Sequence, residues 1–176
     1  QNLVVRGETT TDADVDYTFA QIGVHHAMVD YAGNCGNMSA AVGPFALDEG
    51  LVAKPAGTDT TVRIHNTNTA KIITSRFRSH HGVSEVAGDT VLDGVAGSGS
   101  PVHLEFTDPG GAKTGKLLPG GQSRQQLQVA DGDEVEVSLV DAANPCVFVT
   151  AFALGCAGTE SPSEIDANHN LMSRLE

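Results

Sequence analysis

"GNCGNMSAAVGPFAL", residues 33–47, places a cysteine between two Gly-Asn pairs at the head of a helix-forming run. Glycine and asparagine accept tight turns, and asparagine suits a helix N-cap. Cys35 at that point meets unpaired backbone N–H groups and the positive end of a helix dipole, a setting that favours a thiolate. The same N–H groups can hold a carboxylate. The window therefore reads as a reactive thiol beside an anion cradle. A buried structural cysteine in a tight turn satisfies the same residues, and the window alone leaves both readings open. The helix is expected over about 36–50, with Ala40, Ala41, Phe45 and Leu47 as its apolar surface and Gly50 as its stop. Pro44 lies inside it, where it removes a hydrogen bond and should kink the chain.

Outward from this helix most of the sequence is β-like. "NLVVR" (2–6), "VDYTFAQIGV" (15–24), "TTVRIHN" (60–66) and "KIITSRF" (71–77) are rich in β-branched and aromatic residues. "IHNTNTAKI" joins the last two through an Asn/Thr-rich turn and reads as a hairpin. Further strands are expected at "TVLDGV" (90–95), "PVHLEF" (101–106), "EVEVSLV" (134–140) and "CVFVTAF" (146–152), between Gly-rich breaks at 82–100 and 107–123. A second helix is expected over 163–175, capped by Ser163, with Ile165, Leu171, Met172 and Leu175 on one face. Many strands around one small-residue helix imply an α+β lobe with a wrapped sheet.

The 176 residues suffice for one good core or two small lobes. A formal net charge of −12 argues against a nucleic-acid or anionic-membrane partner, while leaving room for a local cradle that takes an anionic substrate. No apolar run reaches membrane-span length, and no signal-peptide pattern opens the chain. Cys35, Cys146 and Cys156 form an odd set without CxxC spacing, which suggests neither a disulfide framework nor a zinc ribbon and points to a reducing cytoplasm. Gln1 runs directly into a strand and Glu176 falls inside a helical stretch, so a piece of a longer protein is expected.

Several motifs fail on inspection. "GGAKTGKL" (110–117) has a phosphate-loop skeleton, but Leu117 stands where magnesium binding needs Ser or Thr, so a Gly-rich turn is expected. "DADVD" (12–16) lacks the glycine and glutamate of a calcium loop. Neighbouring side chains on a strand point to opposite faces, so His25-His26 and His80-His81 each offer at most one ligand to a site and read as surface histidines. No metal site is assigned.

The opening motif gains weight from its surroundings. "DADVDYTFAQIGV", "VDYAGNCGNMSAAVGPFALDEGLV", "TVRIHNTNTAKI", "GKLLP", "VEVSLVDAANPCVFVTA" and "LGCAGTESPSEID" follow one another in an order and spacing that resembles the methylaconitate isomerase (PrpF-type) family. The likeness runs along essentially the whole chain but covers only a central part of such proteins. It implies a diaminopimelate-epimerase-like fold, in which two lobes each wrap a β-barrel-like sheet around a central helix. On that basis residues 1–72 are part of the first lobe and residues 73–176 the first part of the second.

The resemblance implies a cofactor-free isomerase of small unsaturated di- or tricarboxylic acids, of the 2-methylaconitate cis-trans isomerase kind. Moving or rotating a double bond beside carboxylates removes an allylic proton and returns one, and the enolate-like charge needs fixed N–H donors. Cys35 matches the family's active-site cysteine, as acid or base. Asn34, Gly36, Asn37, Met38 and Ser39 are the substrate-binding candidates beside it, chiefly through backbone N–H groups from Gly36 to Ser39 and the Asn37 amide. Asn144 in "DAANPCVF" matches the family's Asn-Pro segment, and turn formation before Pro145 explains it equally well. Lys116 is a candidate carboxylate contact beside the plainer reading of a solvated lysine. Asn66 and Asn68 either face the cleft or serve the turn. Cys146 and Cys156 read as structural. Without gaps the family's reactive lysine aligns with Gln1, which cannot exchange a proton usefully at neutral pH and receives no role; either that partner is lost or a small shift places a lysine just before residue 1.

Two other functions compete. A cysteine-pair amino-acid racemase or epimerase requires a second reactive thiol facing Cys35. A catalytically degenerate β-rich binding fragment requires no affinity for such acids. An incomplete second lobe would expose apolar strand surface, so pairing with another copy or with the remainder of the chain is expected.

Overall fold

The computed structural model describes residues 2–6, 12–130 and 132–175, so Gln1 lies outside the described residues. The chain divides into two compact units, residues 1–109 and 110–176. The expected boundary at 72/73 falls inside a strand that is paired on both sides within the first unit, and hydrogen bonding carries the unit past it.

In the first unit, β1 (Asn2–Arg6), β2 (Val15–Ile22), β4 (Asp59–Asn66), β5 (Lys71–His80) and β7 (Val102–Phe106) form the body of one sheet. Short β3 (Val29–Asp30) pairs with the end of β2, and β6 (Val83–Ser84) with the end of β5. All pairings are antiparallel except β2 with β4, which run parallel from Val15↔Ile64 to Tyr17↔Asn66. The sheet curls about helix α1 (Gly36–Asp48), giving the mixed α+β architecture expected of a wrapped lobe. Strand "TVLDGV" does not form. Thr90 makes an isolated bridge to Gly99 and residues 91–95 form no strand, because the Asp93-Gly94 turn breaks the run and Val91, Leu92 and Val95 find no core to enter.

Period-two alternation sends Val15, Tyr17 and Phe19 of β2, Val62 and Ile64 of β4, and Ile73 and Phe77 of β5 to one face, where they meet Val42, Ala46 and Leu47 of α1. The buried stripe of α1 is Ser39, Val42, Gly43, Ala46 and Leu47, a spacing of three and four residues that defines one helical face. Of the four apolar residues expected on that face only Leu47 is buried. Ala41 and Phe45 project outward because the sheet takes the Ser39–Gly43 side. Pro44 is tolerated inside the helix, and Gly50 stands two residues past its end with φ +70°.

Gly43 sets how closely the helix approaches the sheet. A Cβ there would lie 2.5 Å from Ser75 Oγ and 3.0 Å from a Phe77 ring carbon. The β4–β5 hairpin is as expected, closing at Asn66↔Lys71.

The second unit holds β8 (Gln125–Gln128), β9 (Glu134–Ala142) and β10 (Asn144–Val149) as an antiparallel sheet in the order β10-β9-β8. Cys146 was expected in a buried strand. It lies on β10 but is exposed, because this edge strand is exposed along nearly its whole length. The expected terminal helix is divided into α2 (Pro162–Ala167) and α3 (His169–Leu175). Ser161, not Ser163, caps α2 in a capping box with Glu164, because Pro162 occupies the first helical position. Asn168 starts α3 by accepting the Leu171 N–H, and Leu171 alone is buried on that helix.

The close helix–sheet approach gives a stability test. Gly43→Val should lower unfolding stability by about 2 kcal/mol through overpacking against Ser75, and Ser75→Gly in the same chain should recover part of that loss. Urea unfolding of the single and double variants measures both.

Candidate functional site

Cys35 is the N-cap of α1. Its extended backbone (φ −120°, ψ 109°) stops the preceding turn, and its carbonyl accepts the first helical bond from the Ser39 N–H at 2.9 Å. The Cys35 side chain does not cap this end, and no acidic residue lies in the first turn. Gly36 and Asn37 are exposed, and a Cβ at Gly36 would meet no atom within 4 Å. The N–H groups of the first turn thus open onto free space next to a half-buried thiol.

The site candidates separate by geometry. Ser39 is fully buried; its N–H belongs to the helix and its hydroxyl donates to the Cys35 carbonyl at 2.9 Å, with Asn34 Oδ1 at 3.3 Å. Neither Ser39 group points outward, which removes it from the cradle. The Asn34 side-chain oxygen also accepts from Asn66 Nδ2 at 2.7 Å, so Asn34 is tied into the scaffold. Met38 packs its side chain against the core, leaving only its backbone for a ligand. Gly36 and Asn37 remain the outward-facing pair.

Tyr17 lies beneath this turn. It is fully buried, and its hydroxyl makes no hydrogen bond of ordinary geometry. Burial pushes its pKa above the ordinary value of 10.0; the Ser39 hydroxyl offsets part of the rise and the Cys35 thiol adds to it.

Sequence reasoning left Asn66 and Asn68 undecided between cleft and turn. Both are built into the hairpin. Asn66 is fully buried, and its Oδ1 accepts the N–H groups of Asn68 at 2.9 Å and Thr69 at 3.1 Å. Asn68 bridges the carbonyls of Phe19 and Tyr31 through Nδ2 and accepts the Phe19 N–H.

Lys116 and Asn144 belong to the second unit. Lys116 is exposed on the Gly-rich turn, and its carbonyl is 3.0 Å from the Thr114 hydroxyl. That turn is pinned by Asp141, a residue the sequence reading missed. One Asp141 oxygen accepts from Lys113 N at 2.8 Å, Thr114 N at 2.7 Å and the Thr114 hydroxyl at 2.9 Å. The Thr114 N–H holds this carboxyl below the usual carboxylate range, with the Lys113 N–H and the Thr114 hydroxyl adding to the effect against the opposing cost of burial. Asn144 is exposed where β9 reverses into β10, directly after Ala143 with φ +68°. Cys156 is half-buried, near the Leu154 carbonyl. His25, His26, His80 and His81 are all exposed.

A family model described as PrpF protein matches residues 2–176. The chain belongs to the PrpF family. It is 47% identical over 173 residues to the 3-methylitaconate isomerase of Eubacterium barkeri, covering 98% of this chain and 45% of the relative. It is 43% identical over 173 residues to the 4-oxalomesaconate tautomerase of Pseudomonas putida, covering 98% of this chain and 46% of that protein. Its fold matches a crystal structure of methylitaconate-delta-isomerase with a TM-score of 0.79 and 46% identity, across 98% of this chain and 44% of that one. The chain thus spans less than half the length of these relatives. As a PrpF-family chain it shares their α+β fold. No helix among the described residues is long and apolar enough to cross a membrane.

Two outcomes test the local electrostatics. Tyr17→Phe removes a buried hydroxyl without a good partner and should leave stability unchanged or raise it by about 1 kcal/mol. Because the folded phenol titrates above the unfolded one, stability present below pH 10.0 is lost as pH rises beyond it, and the Phe variant should lose less in alkaline thermal melts. Asp141 has the opposite sign. Its folded pKa is depressed, so its contribution is present above the ordinary carboxylate pKa of about 3.9 and is lost as pH falls through the lower folded value. The amide resonances of Lys113 and Thr114 should move only in that acid range, and Asp141→Asn should abolish the step.

Proposed function

We propose that this PrpF-family chain carries the reactive-cysteine half of a cofactor-free isomerase for small unsaturated di- or tricarboxylic acids. The observation that carries the reading is the position of Cys35: N-cap of a thirteen-residue helix whose first turn has neither a side-chain cap nor an acidic residue. A substrate carboxylate placed there takes hydrogen bonds from the Gly36, Asn37 and Met38 N–H groups and the favourable end of the dipole. The adjacent thiol or thiolate is then within reach of an activated allylic carbon. As thiolate the sulfur takes a proton from one carbon, electron density moves into the conjugated carboxylate, and the thiol so formed returns a proton to another carbon, so the reaction is redox-neutral. The fixed N–H donors offset the charge that builds on the carboxylate in between. The names of the relatives, which speak of methylitaconate and oxalomesaconate, support this substrate class for the present chain. Lys116 and Asn144 are proposed as further substrate contacts. A division into part of a first lobe over residues 1–72 and the first part of a second over 73–176 is also proposed, as is a cytoplasmic location, the setting in which free thiols persist.

The test is alkylation of Cys35 by iodoacetamide in a variant carrying Cys146→Ser and Cys156→Ser. Tricarballylate should slow labelling at least tenfold at saturation, and Asn37→Ala should weaken that protection. Cys35→Ser should lower solvent-deuterium exchange into methylitaconate, followed by proton NMR, at least a hundredfold. Labelling that is indifferent to the acid would sink the reading and favour a binding fragment. Protection seen in the unaltered chain but lost in the Cys146→Ser, Cys156→Ser variant would favour the racemase alternative, which needs a second reactive thiol.

A further inference from the structure

A half-buried cysteine in a Gly-Asn turn has no reason of its own to hold one position, since glycine and asparagine make the local backbone permissive. The restraint comes from elsewhere in the chain. Asn66, at the end of β4, is fully buried, and each end of its amide has a separate task. Oδ1 accepts two backbone N–H groups and closes the β4–β5 hairpin. Nδ2 crosses to Asn34 Oδ1 at 2.7 Å, the residue immediately before Cys35. Asn34 Oδ1 in turn lies 3.3 Å from the hydroxyl of Ser39, which donates to the Cys35 carbonyl. The residues on both sides of the cysteine are thereby referred to one buried amide. Asn68, two residues on, fastens the same segment a second time by donating to the Tyr31 carbonyl.

We infer that Asn66 is a positioning residue for Cys35, acting through Asn34 and without touching substrate. The inference rests on the reading of the Cys35 turn as a carboxylate site for its functional consequence, but not for its structural one. In water-excluded surroundings a chain of hydrogen bonds resists displacement of any member, because breaking one leaves a buried polar group unpaired. Removing Asn66 Nδ2 should therefore free the turn at residues 33–39.

The experiment is a double-mutant cycle of Asn34→Ala and Asn66→Ala in the Cys146→Ser, Cys156→Ser background, with two readouts. Peptide-level hydrogen exchange over residues 31–39 should accelerate at least fivefold in each single variant. The tricarballylate concentration that half-protects Cys35 should rise at least fivefold in each. In both readouts the double variant should lose no more than the larger single variant, because the two residues act as one unit. Additive effects, or exchange unchanged in either folded single variant, overturn the inference. If Asn66→Ala fails to fold, Asn34→Ala alone decides, since it leaves both hairpin bonds of Asn66 intact. If the parent shows no protection by the acid, the functional reading fails while hydrogen exchange still decides the positioning role.

Discussion

One buried amide serves two parts of the first unit. Asn66 closes the β4–β5 hairpin with its oxygen and holds the turn before α1 with its nitrogen. A fully buried asparagine without partners would destabilise the fold by a few kcal/mol, on the order of what whole domains have to spare. Here the oxygen takes two hydrogen bonds and the nitrogen at least one, so the hairpin and the cysteine turn are satisfied together or disrupted together. The parallel pairing of β2 with β4 brings Tyr17 beside Asn66, and so places the phenol under the same turn.

The helix is held to the sheet by small residues. Ser39, Gly43 and Ala46 lie along the buried stripe, and Gly43 has no room for a side chain above Ser75 and Phe77. A helix seated this closely has few alternative positions, because interiors at native density resist both voids and overlap. The consequence for the site is that the N-terminus of α1 has its depth fixed by packing along the helix and its lateral position fixed by Asn34 and Asn66. Cys35 sits where the two constraints meet.

Much of this was legible in the sequence, for identifiable reasons. The Gly-Asn-Cys-Gly-Asn element announces its turn and helix start locally, and the Asn/Thr-rich hairpin sits between two strands with clear β patterning. Long-range partners were not legible. Asn66 and Asn34 are 32 residues apart, and nothing in either window marks an amide as buried. Asp141 lies in a plain strand pattern, and only the return of the Gly-rich turn onto β9 shows that it binds two backbone N–H groups. Cys146 reads as a core residue because its neighbours are apolar, yet an edge strand with little covering it leaves apolar residues exposed. Asn168 divided the terminal helix because its side chain competes for backbone N–H groups, an effect that an apolar-periodicity reading does not weigh.

An acidic chain must also manage its own carboxylates, and this one does so by seating them on backbone N–H groups. Asp141 occupies those of Lys113 and Thr114, Glu160 those of Ala157, Gly158 and Thr159, and Glu164 that of Ser161 at the head of α2. All three carboxyls are held below their ordinary pKa, in each case chiefly by a backbone N–H. Asn168 does the equivalent for α3 with an amide oxygen. Among the described helices α1 alone has neither acid nor side-chain cap at its head, although it is the longest and its dipole the most fully developed. The chain has a formal net charge of −12, yet no acidic residue lies in the first turn of α1. Filling that position would occupy the N–H donors and disfavour a bound carboxylate. Leaving the turn uncapped sacrifices about 1 kcal/mol of helix stability. In the proposed function, the substrate carboxylate is the acceptor that this turn lacks.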